Sequence, residues 1–349
     1  MAADAGARMR ADMAEQPEWL RGLADRREEL AAALPDRLGA NPAGRLWTLA
    51  RGSSAHAAGM VAPWLGRTVG APVPALRIDA VLGQPGVLPP PGSVVLVLSQ
   101  SGRTPDVVDA AGRLREARCH VVAIVNERGP LVGASSHAVE LDVGAERAIP
   151  ATKTVLAQIA VLWLLGTLIA ARNDTGARVG SAVAAPALLD AAGAAVGEAL
   201  ADIGPVDRAV QRLAAAPPVA ATGRGVTSGL AAEWAHKVME TAGLPVYAAS
   251  APELAHGPIA IAGPGRAVVG FAVGAAAVGT VTDVLKRAEA RGAETVLVAP
   301  EGEIAVPRDE LPGLLAGLVR AQMLTERLAV ALGRDPDTAL GLSKVTSTS

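Results

Sequence analysis

The stretch Ser93-Val-Val-Leu-Val-Leu98, followed at once by Ser99-Gln-Ser-Gly-Arg-Thr104 and Pro105, decides the fold class of this chain. Its first six residues form an apolar run whose length and β-branched content predict a buried strand. Thr104 suits the N-cap of a helix, and Pro105 suits the first helical position. A buried strand that enters a helix through a short glycine turn is the repeating unit of α/β proteins, so the sequence predicts this class.

The same alternation continues on both sides of this unit. Short apolar runs predict further strands at residues 46–50, 121–125, 139–143, 219–222, 246–249, 267–273 and 295–298. Helical periodicity recurs near residues 228–241, 281–291 and 311–332. Each half of the chain therefore predicts a parallel sheet flanked by helices, which is an α-β-α layered domain.

The length of 349 residues suits two such domains, because one domain usually has roughly 100–200 residues. The boundary is predicted near residues 175–202, which are rich in alanine and glycine and carry Pro186. The predicted division is an N-terminal helical segment (1–34), a first α/β domain (35–175), a linker helix (176–203), a second α/β domain (204–335) and a C-terminal tail (336–349).

Charge and cysteine content exclude several classes of protein. A formal net charge of -2 gives no field that attracts nucleic acid or an anionic membrane, so we expect neither partner and predict a small-molecule ligand. Cys119 is the only cysteine, which excludes a disulfide within the chain. The first 27 residues are charged and lack the apolar core of a signal peptide, so we expect a cytoplasmic protein.

One segment, residues 154–171, carries no charge over 18 residues and reaches the length of a membrane span. Gln158, Gly166 and Thr167 interrupt its apolar character, and it lies in the middle of the strand and helix alternation. Because a helix that is apolar all round also occurs inside layered cores, we predict a buried core or interface helix.

The turn at residues 99–104 has the composition of an anion site. Free backbone N–H groups and the positive end of the helix dipole would face the anion, and Ser99, Ser101 and Thr104 would add hydroxyl donors. A second hydroxyl turn, Gly52-Ser53-Ser54, also follows a predicted strand, and ligands of parallel sheets bind at the carboxyl ends of strands. The alternative is an ordinary strand-to-helix turn with a threonine cap.

Glu233, Lys237 and Glu240 have the spacing that places them on one face of the predicted helix at residues 228–241. Taken alone, this pattern is typical of a solvated face with a helix-surface ion pair. The presence of His256 favours a functional interpretation instead. This histidine lies sixteen residues after Glu240 and belongs to a turn that contains a Gly-Pro pair. A histidine can pass protons between sugar oxygens, and a carboxylate can move a proton between sugar carbons.

Lys344 lies in the polar C-terminal stretch Leu342-Ser-Lys-Val-Thr-Ser-Thr-Ser349. Such a stretch is either a frayed terminus or, alternatively, the source of an amine for Schiff-base chemistry on a keto sugar.

Four stretches together resemble the SIS (sugar isomerase) family: Gly52-Ser-Ser54; Leu98-Ser-Gln-Ser-Gly-Arg-Thr104; Ala151-Thr-Lys153; and residues 233–256 followed by Leu342-Ser-Lys-Val-Thr346. The similarity spans residues 45–346. Within that family, the chain resembles the isomerase half of glucosamine-6-phosphate synthase and the SIS-type glucosamine-6-phosphate deaminases. This resemblance implies two tandem SIS domains.

The resemblance also implies roles for individual residues. The expected substrate-binding residues, most of them holding the sugar phosphate, are Ser53, Ser54, Ser99, Gln100, Ser101, Thr104 and Ala151. Glu240 would be the base that moves a proton between C1 and C2, supported by Lys237. His256 would open the sugar ring from the neighbouring subunit of a homodimer, and Lys344 would lie on a tail that closes the site.

The expected reaction is deamination of glucosamine 6-phosphate to fructose 6-phosphate and ammonia. A deglycase of fructosamine 6-phosphates, or another phosphosugar isomerase, stays open, and so does a non-catalytic phosphosugar sensor. No cofactor and no metal are predicted, because the five histidines and Cys119 do not occur at ligand spacing.

Two departures from the family pattern affect the expected substrate. The chain has Pro150-Ala151-Thr152-Lys153 where the synthase has Ala-Ser-Thr-Lys, so one hydroxyl contact to the sugar is missing. The synthase also needs a cysteine nucleophile on an N-terminal glutaminase domain, whereas this sequence starts with Met1-Ala2 and a short charged helix. Glutamine-dependent synthesis is therefore not expected.

Overall fold

A computed structural model describes residues 4–34, 45–83, 86–172 and 185–338 of the chain. The α-helices of this part are α1 (Ala7–Ala14), α2 (Gln16–Gly22), α3 (Arg27–Ala32), α4 (Gly52–Val69), α5 (Ile78–Leu82), α6 (Pro105–Glu116), α7 (Pro130–Ala134), α8 (Lys153–Arg172), α9 (Ala185–Ala201), α10 (Gly204–Ala215), α11 (Val226–Ala242), α12 (Ala251–Ala255), α13 (Ala275–Glu289) and α14 (Glu310–Ala331). The strands are β1 (Leu46–Ala50), β2 (Ala75–Leu76), β3 (Val94–Ser99), β4 (His120–Val125), β5 (His137–Glu140), β6 (Pro218–Gly223), β7 (Tyr247–Ser250), β8 (Ala267–Phe271) and β9 (Glu294–Val298).

These strands form two sheets in which every paired strand is parallel. The first sheet has the order β2-β1-β3-β4-β5, and the second has the order β7-β6-β8-β9. Helices connect the strands, as parallel pairing requires. The predicted α/β class with helix-flanked parallel sheets is confirmed.

The chain divides into two compact units. We call the described residues within Gly22–Ala145 and Ala157–Ala187 the first-sheet unit, and those within Met1–Arg21, Glu146–Leu156 and Leu188–Leu342 the second-sheet unit. These boundaries differ from those of the five predicted segments. The predicted division into domains stays a prediction.

The core of the first-sheet unit packs helix α6 against the central strands. All six residues of β3 are buried, because its valines and leucines are covered on both faces of the sheet. Ala110 and Leu114 of α6 belong to the same buried cluster as Val95, Val97 and Val121. The apolar run that decides the fold class therefore forms the middle of this unit.

Small residues allow close packing in the second-sheet unit. A Cβ atom on Gly270 of β8 would lie 2.7 Å from the Val281 side chain and 2.9 Å from that of Leu285, both on α13.

Elsewhere in this unit, the Asp337 carboxylate accepts hydrogen bonds from the backbone N–H groups of Arg8, at 2.7 Å, and Met9, at 2.9 Å. Asp337 thereby caps the start of α1.

Helix α8 contains the long apolar segment. It is the one helix in the described residues that is long and apolar enough to span a membrane, yet 94% of its apolar window is buried inside the protein. The prediction of a buried helix at residues 154–171 is confirmed.

The strand predicted at residues 139–143 is wrong at both ends, because β5 runs from His137 to Glu140. Asp142 adopts a left-handed conformation with φ of 59°, which is incompatible with an extended strand.

Candidate active site

Two hydroxyl-containing turns meet at the carboxyl edge of the first sheet. Strands β1 and β3 are neighbours, with Ala50 opposite Leu98, so the turns that follow them lie side by side as expected. Arg51, directly before α4, forms an ion pair with Asp106 in the first turn of α6 and thereby links the two turns. Sequence reasoning missed Arg51, since a single arginine after a strand carries no spacing signal.

The turn after β3 is closed by its own serines. Gly102 N–H donates to Ser99 Oγ at 3.1 Å, and Arg103 N–H donates to Ser101 Oγ at 3.3 Å. Free backbone N–H groups of this turn were expected to face the anion, but the hydroxyl oxygens already accept these two. Because a hydroxyl has one proton and two lone pairs, each serine can still donate its own proton to a ligand.

A neighbouring loop fixes the position of this turn. The Gln100 carbonyl accepts the N–H groups of Asn126 and Glu127, and Gln100 Nε2 donates to Glu127 Oε1 at 2.9 Å. Gly102 has a φ of +60°, and a Cβ atom on Gly129 would come within 2.5 Å of the Gly102 carbonyl oxygen. Only glycine at both positions allows this close backbone approach.

The remaining predicted phosphate residues lie at helix starts. Thr104 is the N-cap of α6 and Pro105 its first residue, as predicted, although the Thr104 side chain makes no capping hydrogen bond. Ser53 and Ser54 are half-buried in the first turn of α4. Gln158 of α8, which sequence reasoning did not identify, donates from Nε2 to Ser54 Oγ at 3.0 Å.

In the second-sheet unit, helix α11 holds a cluster of polar and charged side chains that contact one another and are largely shielded from solvent. Lys237 Nζ forms an ion pair with Glu240, and His236 Nε2 lies 2.8 Å from Glu240 Oε1. The side chain of Lys237 is 5% exposed and that of Glu240 22%, while Glu233 is buried. The solvated-face alternative is therefore wrong. Sequence reasoning missed His236, although its i, i+4 spacing to Glu240 was a usable signal.

The surroundings of Glu240 keep it ionised. Burial alone would raise the pKa of this carboxyl, but the hydrogen bond from His236 and the charge and hydrogen bond of Lys237 outweigh it and lower the pKa to about 2. A base acts best when its pKa is near the working pH. Glu240 is therefore ionised at neutral pH but a weak base, and it becomes a stronger base when His236 or Lys237 moves away.

His256 directly follows the short helix α12 and is exposed. A capping box fixes the start of this helix: Ser250 Oγ and Glu253 Oε2 are 2.7 Å apart, and the Ser250 N–H also donates to the same carboxylate. The imidazole is therefore presented at the surface by a locally ordered turn. Lys344 lies outside the described residues.

Ala151 lies in the loop that leads into α8. The buried carboxylate of Glu146 accepts the backbone N–H groups of Thr152 at 2.8 Å, Lys153 at 3.0 Å and Thr154 at 3.1 Å. It therefore satisfies the first N–H groups of the helix, where a negative charge is favourable.

A second buried acid holds the same loop. Asp12, which is fully buried, accepts the N–H groups of Arg147 at 2.7 Å and Ala148 at 2.9 Å. Asp12 Oδ1 lies 3.4 Å from Lys153 Nζ, which also pairs with Glu15. The backbone on either side of Ala151 is thus fixed by hydrogen bonds.

The predicted residues form two sets. The first-sheet unit brings together the hydroxyl turns with Ser53, Ser54 and residues 99–104. The second-sheet unit holds Ala151, Lys237, Glu240 and His256.

Residues 41–168 match the SIS domain family. The chain carries a SIS domain. Glutamine–fructose-6-phosphate aminotransferase (isomerizing) of Mycolicibacterium paratuberculosis is a curated relative, 31% identical over 269 residues. The alignment covers 72% of this chain but only 43% of the relative, so the chain spans less than half of that protein.

Solved structures share the fold over nearly the whole chain. The C-terminal domain of glucosamine-fructose-6-phosphate aminotransferase from Francisella tularensis aligns with a TM-score of 0.82 and 20% identity, covering 95% of this chain and 97% of that domain. Glucosamine-6-phosphate deaminase from Thermotoga maritima aligns with a TM-score of 0.76 and 20% identity, covering 98% and 99%. At 20% identity, these two alignments show that the chain shares the fold of both structures.

Proposed function

We propose that this chain is a phosphosugar enzyme with two tandem SIS domains, which deaminates glucosamine 6-phosphate to fructose 6-phosphate and ammonia. The observation that carries the proposal is the half-buried, ionised carboxylate of Glu240 between Lys237 and His236. A charge this costly to bury is commonly found where proton transfer takes place.

In the proposed reaction, His256 opens the sugar ring of the bound substrate. Glu240 takes the proton from C2 and returns it to C1, while the C2 amine loses one proton and the C1 oxygen gains one. Together these transfers convert the C1 aldehyde and C2 amine into a C1 hydroxyl and a C2 imine. Water then adds to C2, and ammonia leaves, so the C2 carbonyl of fructose 6-phosphate forms. Lys237 favours the ionised form of Glu240 between turnovers.

The turns of the first-sheet unit supply the proposed phosphate site. Ser99 and Ser101 accept backbone N–H groups and keep their protons for a ligand, and Ser54 and Thr104 lie at the starts of helices, where anions are favoured. The exposed position of His256 suits a residue that acts on the site of a neighbouring subunit, so we include a homodimer in the proposal.

A deglycase of fructosamine 6-phosphates is the second candidate. The loop at residues 150–153 lacks one hydroxyl of the synthase pattern, which favours a different group on the substrate nitrogen. Both candidates use the same proton transfer between C1 and C2.

One coupled assay distinguishes them. Ammonia release from glucosamine 6-phosphate, with little release from unphosphorylated glucosamine, is the expected result. Release of an amino acid from a fructosamine 6-phosphate, without ammonia from glucosamine 6-phosphate, would support the deglycase. No turnover across the panel, combined with tight phosphosugar binding, would contradict an enzymatic function and support a sensor.

A further inference from the structure

Gln158 places a polar side chain in apolar surroundings, which lowers the stability of the folded protein. From Val155 to Gly166 helix α8 is otherwise apolar, and the Gln158 side chain is fully buried. Its Nε2 donates to Ser54 Oγ at 3.0 Å, while its Oε1 is buried and has no hydrogen-bond partner within the described part of the chain. A buried polar atom left without a partner destabilises a protein.

Stability alone does not account for this glutamine. Methionine has nearly the same length, suits a helix and leaves no unpartnered oxygen in an apolar core. The one partner that Gln158 has, Ser54, lies in the first turn of α4 at the carboxyl edge of the first sheet. The contact therefore points from the core to the hydroxyl turn.

We propose that Gln158 is a positioning residue that orients the Ser54 hydroxyl for an anionic ligand, which we infer to be the phosphate of a sugar phosphate. A serine hydroxyl has one proton and two lone pairs. The Gln158 amide occupies a lone pair of Ser54 Oγ, so the Ser54 proton is directed away from α8. Ser54 donates this proton to no acceptor in the described residues.

This inference rests on the proposed phosphate site but not on the proposed chemistry. It requires the Ser54 proton to be donated to the ligand, and it requires that donation to depend on Gln158. Both requirements concern binding, so calorimetry with fructose 6-phosphate and with inorganic phosphate tests them without turnover.

The main variant is Gln158→Met. Loss of the orienting hydrogen bond should weaken the affinity for both probes by roughly 3- to 10-fold, while the melting temperature stays the same or rises. Gln158→Glu should weaken affinity further, because a carboxylate accepts the Ser54 proton and adds negative charge near the anion. Thr167→Val, which replaces a buried hydroxyl on the same helix, is the matched control and should leave affinity unchanged.

Ser54→Ala completes a double-mutant cycle. In that background Gln158→Met should have no further effect on affinity, because there is no hydroxyl left to orient. Wild-type affinity in Gln158→Met, an equal loss in the Ser54→Ala background, or failure of Gln158→Met to fold would each overturn the positioning role. A wild-type protein that binds neither probe would overturn the proposed phosphate site, and the positioning role with it.

Discussion

The turn after β3 and helix α11 both hold polar groups away from water, but they stabilise them in different ways. In the turn, neutral serine hydroxyls bond to backbone N–H groups, and a nearby loop fixes the backbone. In α11, charged side chains bond to one another. The difference indicates that the turn depends on backbone geometry, whereas α11 depends on charge and hence on pH.

The largest effect is expected from the removal of one charge in α11. Glu240→Gln keeps the side-chain size but cannot accept a proton, so turnover should fall by roughly 10²–10⁴-fold while ligand affinity survives. Steady-state kinetics and calorimetry on the same preparation measure the two quantities. Full activity in this variant would mean that the charged cluster serves the structure of the helix alone.

Acid should affect the two regions differently. The pKa of Glu240 is lowered to about 2 in the folded protein, against an ordinary value of 4.5, so its stabilising contribution is complete above pH 4.5 and is lost as the pH falls towards 2. The free energy of unfolding should therefore drop by up to about 3 kcal/mol more in the wild type than in Glu240→Gln over this range. Urea denaturation at pH 6 and pH 3 should show about 2 kcal/mol of this difference, because Glu240 is still mostly ionised at pH 3.

Ser99→Ala is the matched control for the acid experiment, since a hydroxyl does not titrate there. Its free-energy difference from the wild type should be the same at both pH values. A wild type and Glu240→Gln that lose stability in parallel would show that the lowered pKa does not contribute to folding.

Backbone geometry is tested at Gly129. A Cβ atom there would lie 2.5 Å from the Gly102 carbonyl oxygen and 2.8 Å from that of Ser101, so Gly129→Ala should shift the turn and destabilise the protein by about 1–3 kcal/mol. Affinity for phosphosugars should fall as well. Gly133→Ala, within the short helix α7 that Gly129 precedes, meets no atom within 4 Å and should be neutral or stabilise by up to about 1 kcal/mol. Equal effects of the two substitutions on denaturation would contradict the close-approach argument.

The smallest effect is expected from the helix caps. Thr104 makes no capping hydrogen bond, so Thr104→Val should change stability by less than about 0.5 kcal/mol while it weakens phosphosugar binding. Ser250 belongs to a complete capping box, and Ser250→Ala should cost about 1 kcal/mol. Thermal melts of both variants compare them. A larger loss for Thr104→Val would assign that residue to structure instead of ligand binding.

Much of the fold was predictable because parallel strands leave continuous apolar runs. The buried runs that became β1, β3 and β4 lie within a residue of their predicted positions. Strand β2 has only two residues and leaves no such run, and β5 ends where Asp142 turns left-handed, which a valine-rich pattern does not reveal.

The candidate site was predictable where motifs carry it and not where partners come from distant sequence. Glu240 and Lys237 were identified from spacing, and their ion pair follows from the same helix. The contacts of Gln158 with Ser54 and of Arg51 with Asp106 each join separate elements, so only the tertiary structure reveals them. The fate of the Gly102 and Arg103 N–H groups was also hidden, because it depends on serine rotamers.

The cap that Asp337 provides to α1 has a consequence for the order of folding. Its contact with Met9 joins residues 328 positions apart, and closing a flexible loop of that length costs about 5 kcal/mol of chain entropy. Two hydrogen bonds to a carboxylate, at about 1.5–3 kcal/mol each, do no more than offset this cost, and ordering the residues that make them adds to it. The contact therefore forms only after the intervening residues have folded and brought the two segments close. The Met9 amide should accordingly be among the last of the second-sheet unit to gain protection from hydrogen exchange during refolding.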